Sequence, residues 1–264
     1  MKAPGILLVV FWVSIVINGQ CRVPLTFQYV FGKNNARVKS IRPELFFDSQ
    51  LQINLAKAST DEDTNQMRSL IERGADVNFS ARNGMRPLFW ALINMNFNSF
   101  KFLLDHGADP NAVVVNMKPP AENALTLAAR LAEAKYLVEL LSHGANPNTA
   151  VSIIKKTAIF TALSYHKTNN IAVLLKYGAD INFTTTGGTT PMNYAIERGS
   201  FQMALFLFES GANPFIRDKW GYSAIDIIRE FGDKGVVSRS DKNAYGQLLN
   251  VLKDDCVTNT AVMK

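Results

Sequence analysis

The chain has 264 residues, of which 47% are hydrophobic and 19% are charged, and its net charge is +6 at pH 7. This composition is that of a globular protein with enough apolar residues for a continuous core. Its apolar runs are too short for a polytopic membrane protein. The positive charge alone would suit a nucleic-acid partner, but the N-terminal segment argues against that class of ligand.

Residues 1–19 predict an export signal. Lys2 supplies the positive charge, and Ile6–Ile17 is an apolar run of 12 residues. A membrane-spanning helix needs about 20 residues, so the pattern favours a removed signal over an anchor. We expect cleavage after Gly19 and a mature protein in the periplasm.

Two cysteines leave two alternatives open for the mature N-terminus. Cys21 follows the apolar run as the lipidated cysteine does in bacterial lipoproteins, although Gln20 stands where such proteins carry a small residue. Lipidation would anchor the protein to a membrane. Without it, an oxidising compartment would permit a disulfide between Cys21 and Cys256. Neither cysteine has a histidine in its own segment, so a thiol nucleophile is not expected.

Residues 20–44 predict a short β-like extension. Apolar side chains alternate with other residues, a period typical of a strand, at Val23, Leu25, Phe27, Tyr29 and Phe31. Residues 32–35 predict a turn, and residues 37–41 predict a returning strand. We expect this ribbon to cap the helices that follow, because an isolated hairpin is marginally stable; the alternative is an arm that binds a partner.

A nine-residue pattern then recurs along the chain. It occurs at Leu70–Asn78, Leu103–Asn111, Leu140–Asn148, Leu174–Asn182 and, in a shorter form, Leu207–Pro214. Its glycines, at positions 74, 107, 144, 178 and 211, are spaced by 33, 37, 34 and 33 residues. The pattern predicts an apolar pair that ends a helix, a glycine in the left-handed conformation, and an Asp or Asn that bonds to the turn.

A second motif precedes four of the five glycines, since the repeat that ends at Gly74 lacks it. Thr190–Ala195 (TPMNYA) resembles the T-P-L-H-x-A helix start of ankyrin repeats, as do Arg86–Ala91, Asn123–Ala128 and Thr157–Ala162. With a period near 33 residues, the chain resembles an ankyrin-repeat protein, although no repeat keeps the histidine of the motif. The resemblance implies an all-α ankyrin-repeat solenoid of about six helix-turn-helix repeats over residues 45–253, followed by a tail at 254–264.

The sequence contains no recognisable catalytic constellation. Acidic residues 61–63 are interpreted as a helix cap rather than a metal site. His106 and His143 lie before the repeat glycines at helix ends, and His166 stands apart. Motifs of hydrolases, nucleotide-binding loops and zinc sites do not occur. We therefore predict no enzymatic activity, no cofactor and no metal site.

The surface that ankyrin proteins use for binding is the row of turns between repeats, called fingers, with the neighbouring helix face. Basic residues outnumber acidic residues in the fingers, and aromatic residues lie between the basic ones, as in interface cores. The residues predicted to contact a partner are Arg82, Met85, Arg86, Trp90, Lys118, Lys155, Lys156, Phe183, Arg217, Lys219, Trp220 and Tyr222. Alternatively, the apolar finger residues stack on each other in solvent. We expect another protein with an acidic contact surface, not nucleic acid.

The predicted function is non-catalytic protein binding in the cell envelope. Exported ankyrin proteins similar to this chain occur in Gram-negative bacteria, and some are immunity proteins that block toxic effector enzymes, including lipases delivered by type VI secretion. That resemblance implies an immunity or inhibitor role. A periplasmic scaffold or enzyme stabiliser, and a secreted effector that binds a host protein, remain alternatives.

Overall fold

A computed structural model describes residues 9–17, 20–29, 42–81, 84–114, 122–233, 237 and 241–262. Side chains are described for residues 42–81, 84–113, 123–232, 237 and 241–252. These residues form two compact units. The first unit comprises the described residues of Met1–Ala128 and Val138–Ala145, and the second those of Ala129–Leu137 and Asn146–Lys264.

The described repeats are built from α-helices that come in consecutive pairs. In chain order they are α1 (Gln50–Thr60), α2 (Thr64–Glu72), α3 (Pro87–Ile93), α4 (Phe97–Asp105), α5 (Ala124–Ala129), α6 (Lys135–Ser142), α7 (Ala158–Ser164), α8 (Thr168–Lys176), α9 (Pro191–Glu197), α10 (Phe201–Glu209), α11 (Ala224–Asp233) and α12 (Lys242–Val262). A short 3-10 helix at Pro43–Leu45 precedes them. The helix-turn-helix architecture predicted from the 33-residue period is confirmed.

The first unit buries the apolar faces of α1 to α4. The first helices of its two leading pairs, α1 and α3, pack against each other. Trp90 lies at the centre, with the Phe47 ring edge-on at 6.0 Å between centroids. Its indole Nε1 donates to the Ala56 carbonyl at 3.0 Å and to the Thr60 hydroxyl at 2.9 Å. The tryptophan therefore joins the pre-repeat segment to the first two repeats.

The second unit repeats this arrangement with α7, α9 and α11 in one row. Asn170 of α8 is buried, and its amide donates to the carbonyls of Ala129 and Leu131, each at 2.9 Å. At the C-terminal end, the Phe201 ring packs edge-on against Phe231 and Tyr245. The last helix pair thus closes the unit with aromatic side chains.

The turns after the second helices follow the prediction made from the nine-residue pattern. Glycines 74, 107, 144, 178 and 211 all have positive φ, between 83° and 98°. A hydrogen bond within its own turn was predicted for the polar residue of the pattern. The final Asn of the pattern also forms hydrogen bonds with the turn of the next repeat. Asn148, for example, donates to the Gly178 carbonyl at 3.0 Å and accepts from the Asp180 amide at 2.7 Å, one repeat further along.

The acidic corner at residues 61–63 caps a helix, as predicted. The Asp63 carboxylate accepts from the Gln66 amide at 2.9 Å at the start of α2. Thr190 caps α9 in the same way, accepting from the Asn193 amide at 3.1 Å. In the insertion of the third repeat, Val113–Val114 (β3) pairs with Glu122–Asn123 (β4).

The ends of the chain differ from the sequence-based boundaries. Strand β2 (Gln20–Tyr29) forms where a strand was expected, but its antiparallel partner is β1 (Val9–Ile17), within the predicted signal. The expected returning strand at 37–41 lies outside the described residues. Helix α12 continues to Val262, so the backbone is helical over most of the predicted tail.

Candidate partner-binding surface

Two residues predicted to contact a partner belong to the core instead. Trp90 is 1% exposed and Met85 is 4% exposed, so neither can reach a partner without unfolding of the first unit. Arg86 is half-buried, and its guanidinium donates to the Asn78 carbonyl at 2.9 Å. This hydrogen bond stabilises the turn between Asn78 and Arg86. Arg82 and Lys118 lie outside the described residues.

The second unit places three fingers side by side. These are residues 151–156, 184–189 and 217–222, together called the finger ladder. The Thr186 amide donates to the Ile154 carbonyl at 3.2 Å, and the Lys219 amide donates to the Gly187 carbonyl at 2.9 Å. Backbone hydrogen bonds thus hold neighbouring fingers in register and give the surface a defined shape.

The first finger of the ladder is a tight, preformed turn. Val151 and Lys156 form an antiparallel bridge, in which each amide donates to the other residue's carbonyl. Ser152 and Lys155 have positive φ values of 74° and 52°, a conformation that costs free energy in residues other than glycine. At the tip, Ile153 is 93% exposed. The turn presents an aliphatic side chain that the unit itself does not cover.

The third finger presents an aromatic side chain in a similar way. Trp220 is 72% exposed. One side of its ring lies on the main chain of Gly187, where an added methyl group would be 3.6 Å from the ring. The Asp218 carboxylate accepts from the Trp220 and Tyr222 amides, each at 2.9 Å. Trp220 is therefore positioned by the backbone yet open to a ligand.

Gly188 explains how the second and third fingers come so close. Its φ is +81°, and an added methyl group would lie 2.9 Å from the Cα of Asp218. Any larger residue would collide with that main chain as well as strain the turn. The Gly187–Gly188 pair therefore allows the backbones of the second and third fingers to come into contact.

The bases of the ladder divide into two kinds. Lys155 and Lys219 are exposed, and neither forms an ion pair with another described residue. Arg217 already has partners within the unit, because its guanidinium contacts the Asp226 carboxylate of α11 at 2.8 Å and the Gly221 carbonyl of its own finger. Lys156 is half-buried and donates to the Tyr194 hydroxyl at 3.1 Å. Lys155 and Lys219 are therefore the ladder bases that are both exposed and without a hydrogen-bond or ion-pair partner for the side chain among the described residues.

Other predicted members of the surface are only partly available. Phe183 is half-buried, whereas Tyr222 is exposed at the edge of the third finger. The predicted stacking of apolar finger residues on one another applies to Trp220 and Gly187, but not to the Ile153 tip. Contact of the exposed finger residues with a partner therefore stays a prediction.

Sequence spacing did not predict the cluster of possible metal ligands at Asp105, Glu139 and His143. One ligand atom from each lies within 4.8 Å of the others. The Lys101 ammonium lies 2.7 Å from the Glu139 carboxylate and 3.2 Å from that of Asp105. The hydrogen bonds that Lys101 donates to the carboxylates of Glu139 and Asp105 raise the pKa of Lys101. A metal cation would have to displace this ammonium. The cluster is therefore interpreted as a network of ion pairs between Lys101, Asp105, Glu139 and His143.

The predicted thiol chemistry concerns residues whose side chains are not described. Cys21 lies in β2 and Cys256 in α12. The alternatives of lipidation and a disulfide therefore stay predictions. Among the described residues, no helix combines the length and apolarity needed to span a membrane.

Comparison with known proteins agrees with the helical repeat architecture. Residues 83–114 match the ankyrin repeat, and residues 125–218 match a run of three ankyrin repeats. A solved structure of an ankyrin repeat domain from Acinetobacter baumannii AYE aligns with a TM-score of 0.62. The alignment covers 75% of this chain and 96% of that one, with 22% sequence identity.

Curated relatives resemble the repeats but are much longer. A palmitoyltransferase of Lachancea kluyveri is 25% identical over 182 residues, which are 67% of this chain and 24% of the relative. An L-asparaginase of Dirofilaria immitis is 24% identical over 189 residues, which are 71% of this chain and 31% of the relative. The chain spans less than a third of either protein, so their enzymatic activities do not transfer to it.

These matches agree with the paired helices, the left-handed glycines and the finger ladder. Such a fold is generally a non-enzymatic binding scaffold, and function has to be argued from its exposed residues. Residues 83–114 and 125–218 are therefore ankyrin repeats, in a chain whose fold is an ankyrin-repeat solenoid.

Proposed function

We propose that the protein is a non-catalytic module that binds another protein through the finger ladder. The observation that carries this proposal is the pair of uncovered apolar side chains, Ile153 and Trp220, on turns fixed by backbone hydrogen bonds. A rigid apolar side chain loses little conformational entropy on binding. Tryptophan is also enriched among residues that dominate binding energy.

The partner's contact surface is acidic. Lys155 and Lys219 flank the apolar residues, and both remain unpaired among the described residues. Their one acidic neighbour in the ladder, Asp218, is engaged by backbone amides. Positive charge at the rim of an apolar contact accelerates association with an acidic surface and excludes basic ones.

The site of action is the cell envelope, and the role is that of an immunity or inhibitor protein against a toxic effector enzyme such as a lipase. The apolar segment Ile6–Ile17, typical of export signals, supports the location. The resemblance to exported bacterial ankyrin proteins supports the role. The partner is then expected to be encoded next to this protein. Stoichiometric inhibition of that enzyme by the purified full chain would distinguish an inhibitor from a scaffold, which would bind without inhibiting.

The first prediction concerns association. The double variant Lys155→Glu/Lys219→Glu should bind the neighbouring gene's product about tenfold more slowly at low salt, because steering is lost. The difference should shrink as salt screens the charges. Lys176→Glu/Lys242→Glu is the matched control, since both lysines are exposed in the same unit outside the ladder. Stopped-flow kinetics measure both, and an unchanged rate for the ladder variant would move the site elsewhere.

Trp220→Ala tests the apolar part of the same contact. We expect it to accelerate dissociation, with a loss of about 2 kcal/mol or more if Trp220 is a binding hot spot. The control is Tyr177→Ala, which removes an exposed aromatic side chain at the end of α8. Circular dichroism should show both variants folded, because neither side chain is buried. Equal dissociation rates for the two variants would contradict an anchoring role of Trp220.

A further inference from the structure

A chain of hydrogen bonds beneath the first finger has a defined direction. The Ser164 hydroxyl lies 2.8 Å from the Phe160 carbonyl and 2.8 Å from the Tyr194 hydroxyl. A carbonyl can only accept, so Ser164 donates to it and accepts the proton of Tyr194. The Lys156 ammonium, 3.1 Å away, then donates to the Tyr194 oxygen. Each hydroxyl both donates and accepts, and the chain ends on the ammonium group.

This chain holds the Lys156 ammonium in place with spare donors. An ammonium group has three N–H donors, and Tyr194 accepts one. Among the described residues, no other acceptor or carboxylate pairs with Lys156. Tyr194 itself is 7% exposed and packs edge-on against Phe160 at 5.5 Å. The anchor of the ammonium is therefore rigid, while the ammonium itself is only half-buried.

A second cation lies against the same tyrosine ring. The Lys156 Nζ and the Arg198 Cζ are each 4.4 Å from the Tyr194 centroid. Arg198 is exposed and forms no ion pair within the described part of the chain. Two like charges around one ring repel each other. The arrangement leaves a concentrated positive field that an anion would relieve.

The nearby acidic groups do not neutralise this pair. Glu197 interacts electrostatically with Asp218, Arg198 and Lys156, but neither acidic residue forms an ion pair with Lys156 or Arg198. Burial raises the pKa of Glu197, and the Asp218 carboxylate raises it further. Burial also raises the pKa of Tyr194, but its hydrogen bonds with Ser164 and Lys156, together with the positive charges of Lys156 and Arg198, outweigh burial and leave that pKa below its ordinary value. Positive potential thus dominates at the hydroxyl.

We infer that Lys156 and Arg198, held around the Tyr194 ring, bind an oxyanion of the protein partner, either a carboxylate or a phosphoryl group. The inference rests on the proposed function and adds a specific subsite to it. Lys156 closes the turn whose tip is Ile153. A partner element that covers the exposed isoleucine therefore carries its acidic group close to this residue.

Titration with small anions tests the site without a partner. In NMR spectra of the labelled full chain, acetate or inorganic phosphate should shift and saturate the Arg198 Nε–H and Tyr194 amide signals, relative to chloride at equal ionic strength. A response to acetate alone supports a carboxylate ligand, a response to phosphate alone supports a phosphoryl ligand, and a response to both supports a general oxyanion site. Shifts no larger than those of chloride for both anions would overturn the inference.

Matched variants assign any response to these residues. Lys156→Gln should weaken anion binding at least about tenfold, the effect of one charge-assisted hydrogen bond. Tyr194→Phe should weaken it severalfold, because the ammonium loses its anchor. Glu197→Gln should strengthen it, since a nearby negative charge is removed. Lys176→Gln, a charge-matched change outside the site, should have no effect. Equal affinity in Lys156→Gln and the parent would overturn the inference.

Binding measurements with the protein partner distinguish the oxyanion subsite from the proposed function of the finger ladder. If Lys156→Gln/Arg198→Gln binds the partner as well as Lys176→Gln/Lys242→Gln does, while the Lys155/Lys219 double variant is slowed, the oxyanion subsite is wrong and the ladder stands. If the Lys155/Lys219 and Trp220 variants both bind normally, the ladder itself is wrong. Weaker binding by both sets of variants supports both proposals.

Discussion

At the residue scale, one carboxylate holds the third finger to the helix that follows it. Asp226 accepts from the Ser223 hydroxyl at 2.6 Å and from the Ser223 amide at 3.0 Å, just before α11. It also pairs with Arg217 at 2.8 Å. This is a reciprocal helix cap to which a base from the finger has been added. It explains why Arg217, predicted to bind a partner, is occupied.

Asp226→Asn should therefore destabilise the second unit. Burial raises the pKa of Asp226, but bonds from Ser223 and Arg217 outweigh burial and hold the pKa below its ordinary value of 3.8. A lowered folded-state pKa contributes stability that is present above 3.8 and lost as pH falls through the folded value. We expect a loss of about 0.5–2 kcal/mol at neutral pH, as for other caps, and a smaller loss below 3.8.

Denaturant unfolding across pH measures this effect. Glu209→Gln is the control, because it removes one exposed acidic charge from the same unit. A loss of stability that is the same at pH 7 and pH 3 would show that Asp226 acts through packing and not through its charge.

The burial of Trp90 could not be predicted from the sequence. Trp90 stands in a repeat motif whose neighbouring positions face a partner in related folds, and its large polar-edged ring suits a contact. Its burial depends on Phe46 and Phe47, which come from the segment before the repeats. No periodicity predicts that packing. Exposed residues on the turns, such as Trp220, were predictable because turns between repeats face solvent.

The hydrogen-bonded cluster of Lys156, Ser164 and Tyr194 was not predicted from the sequence, for a different reason. Lys156, Ser164 and Tyr194 belong to neighbouring repeats, and their hydrogen bonds connect residues 38 and 30 positions apart. Those separations bracket the repeat period, so writing the repeats one above another would have brought the three side chains together. The direction of each side chain is set by helix packing, which the sequence pattern does not contain.

At the element scale, the last Asn of the nine-residue pattern joins one turn to the next. Asn78 donates to the Gly107 carbonyl at 2.8 Å and accepts from the Asp109 amide at 2.7 Å. Asn148 makes the equivalent pair of bonds in the second unit. The sequence predicted a turn-forming residue here. The contact between repeats follows from the geometry of stacking, since each repeat is stabilised by its neighbours.

Asn148→Ala tests this connection. It removes both bonds and leaves the Gly178 carbonyl and the Asp180 amide dependent on water. We expect the free energy of unfolding to fall by about 1–3 kcal/mol, at about 0.5–1.5 kcal/mol for each bond. Asn169→Ala provides the control, because Asn169 is exposed on α8 and is not a joining residue. Thermal and denaturant unfolding of the two variants should differ, and equal stability would show that packing alone holds the turns.

At the scale of the whole molecule, the N-terminal strands and the predicted export signal exclude each other. Strand β1 lies entirely within residues 1–19, and β2 begins at Gln20. Cleavage after Gly19 would remove β1 and leave the edge of β2 without its partner. An unpaired strand edge is a site for pairing with another chain. The state of the N-terminus therefore decides which surface precedes the repeats.

We predict that the exported protein begins at Gln20, or at a lipidated Cys21. The apolar run of 12 residues is shorter than the roughly 20 residues of a membrane span, so a removed signal accounts for it better than an anchor. Intact mass of the protein isolated from the cell envelope distinguishes the outcomes, because a diacylglycerol adds a defined mass to Cys21. A Cys21→Ser variant is the control. If Cys21 is lipidated, the variant should lack the increment; if it is not, the variant and the parent should both lack it and share the same envelope location. If the exported protein still carries Met1, both forms of the prediction are wrong. The β1–β2 hairpin is then part of the mature protein.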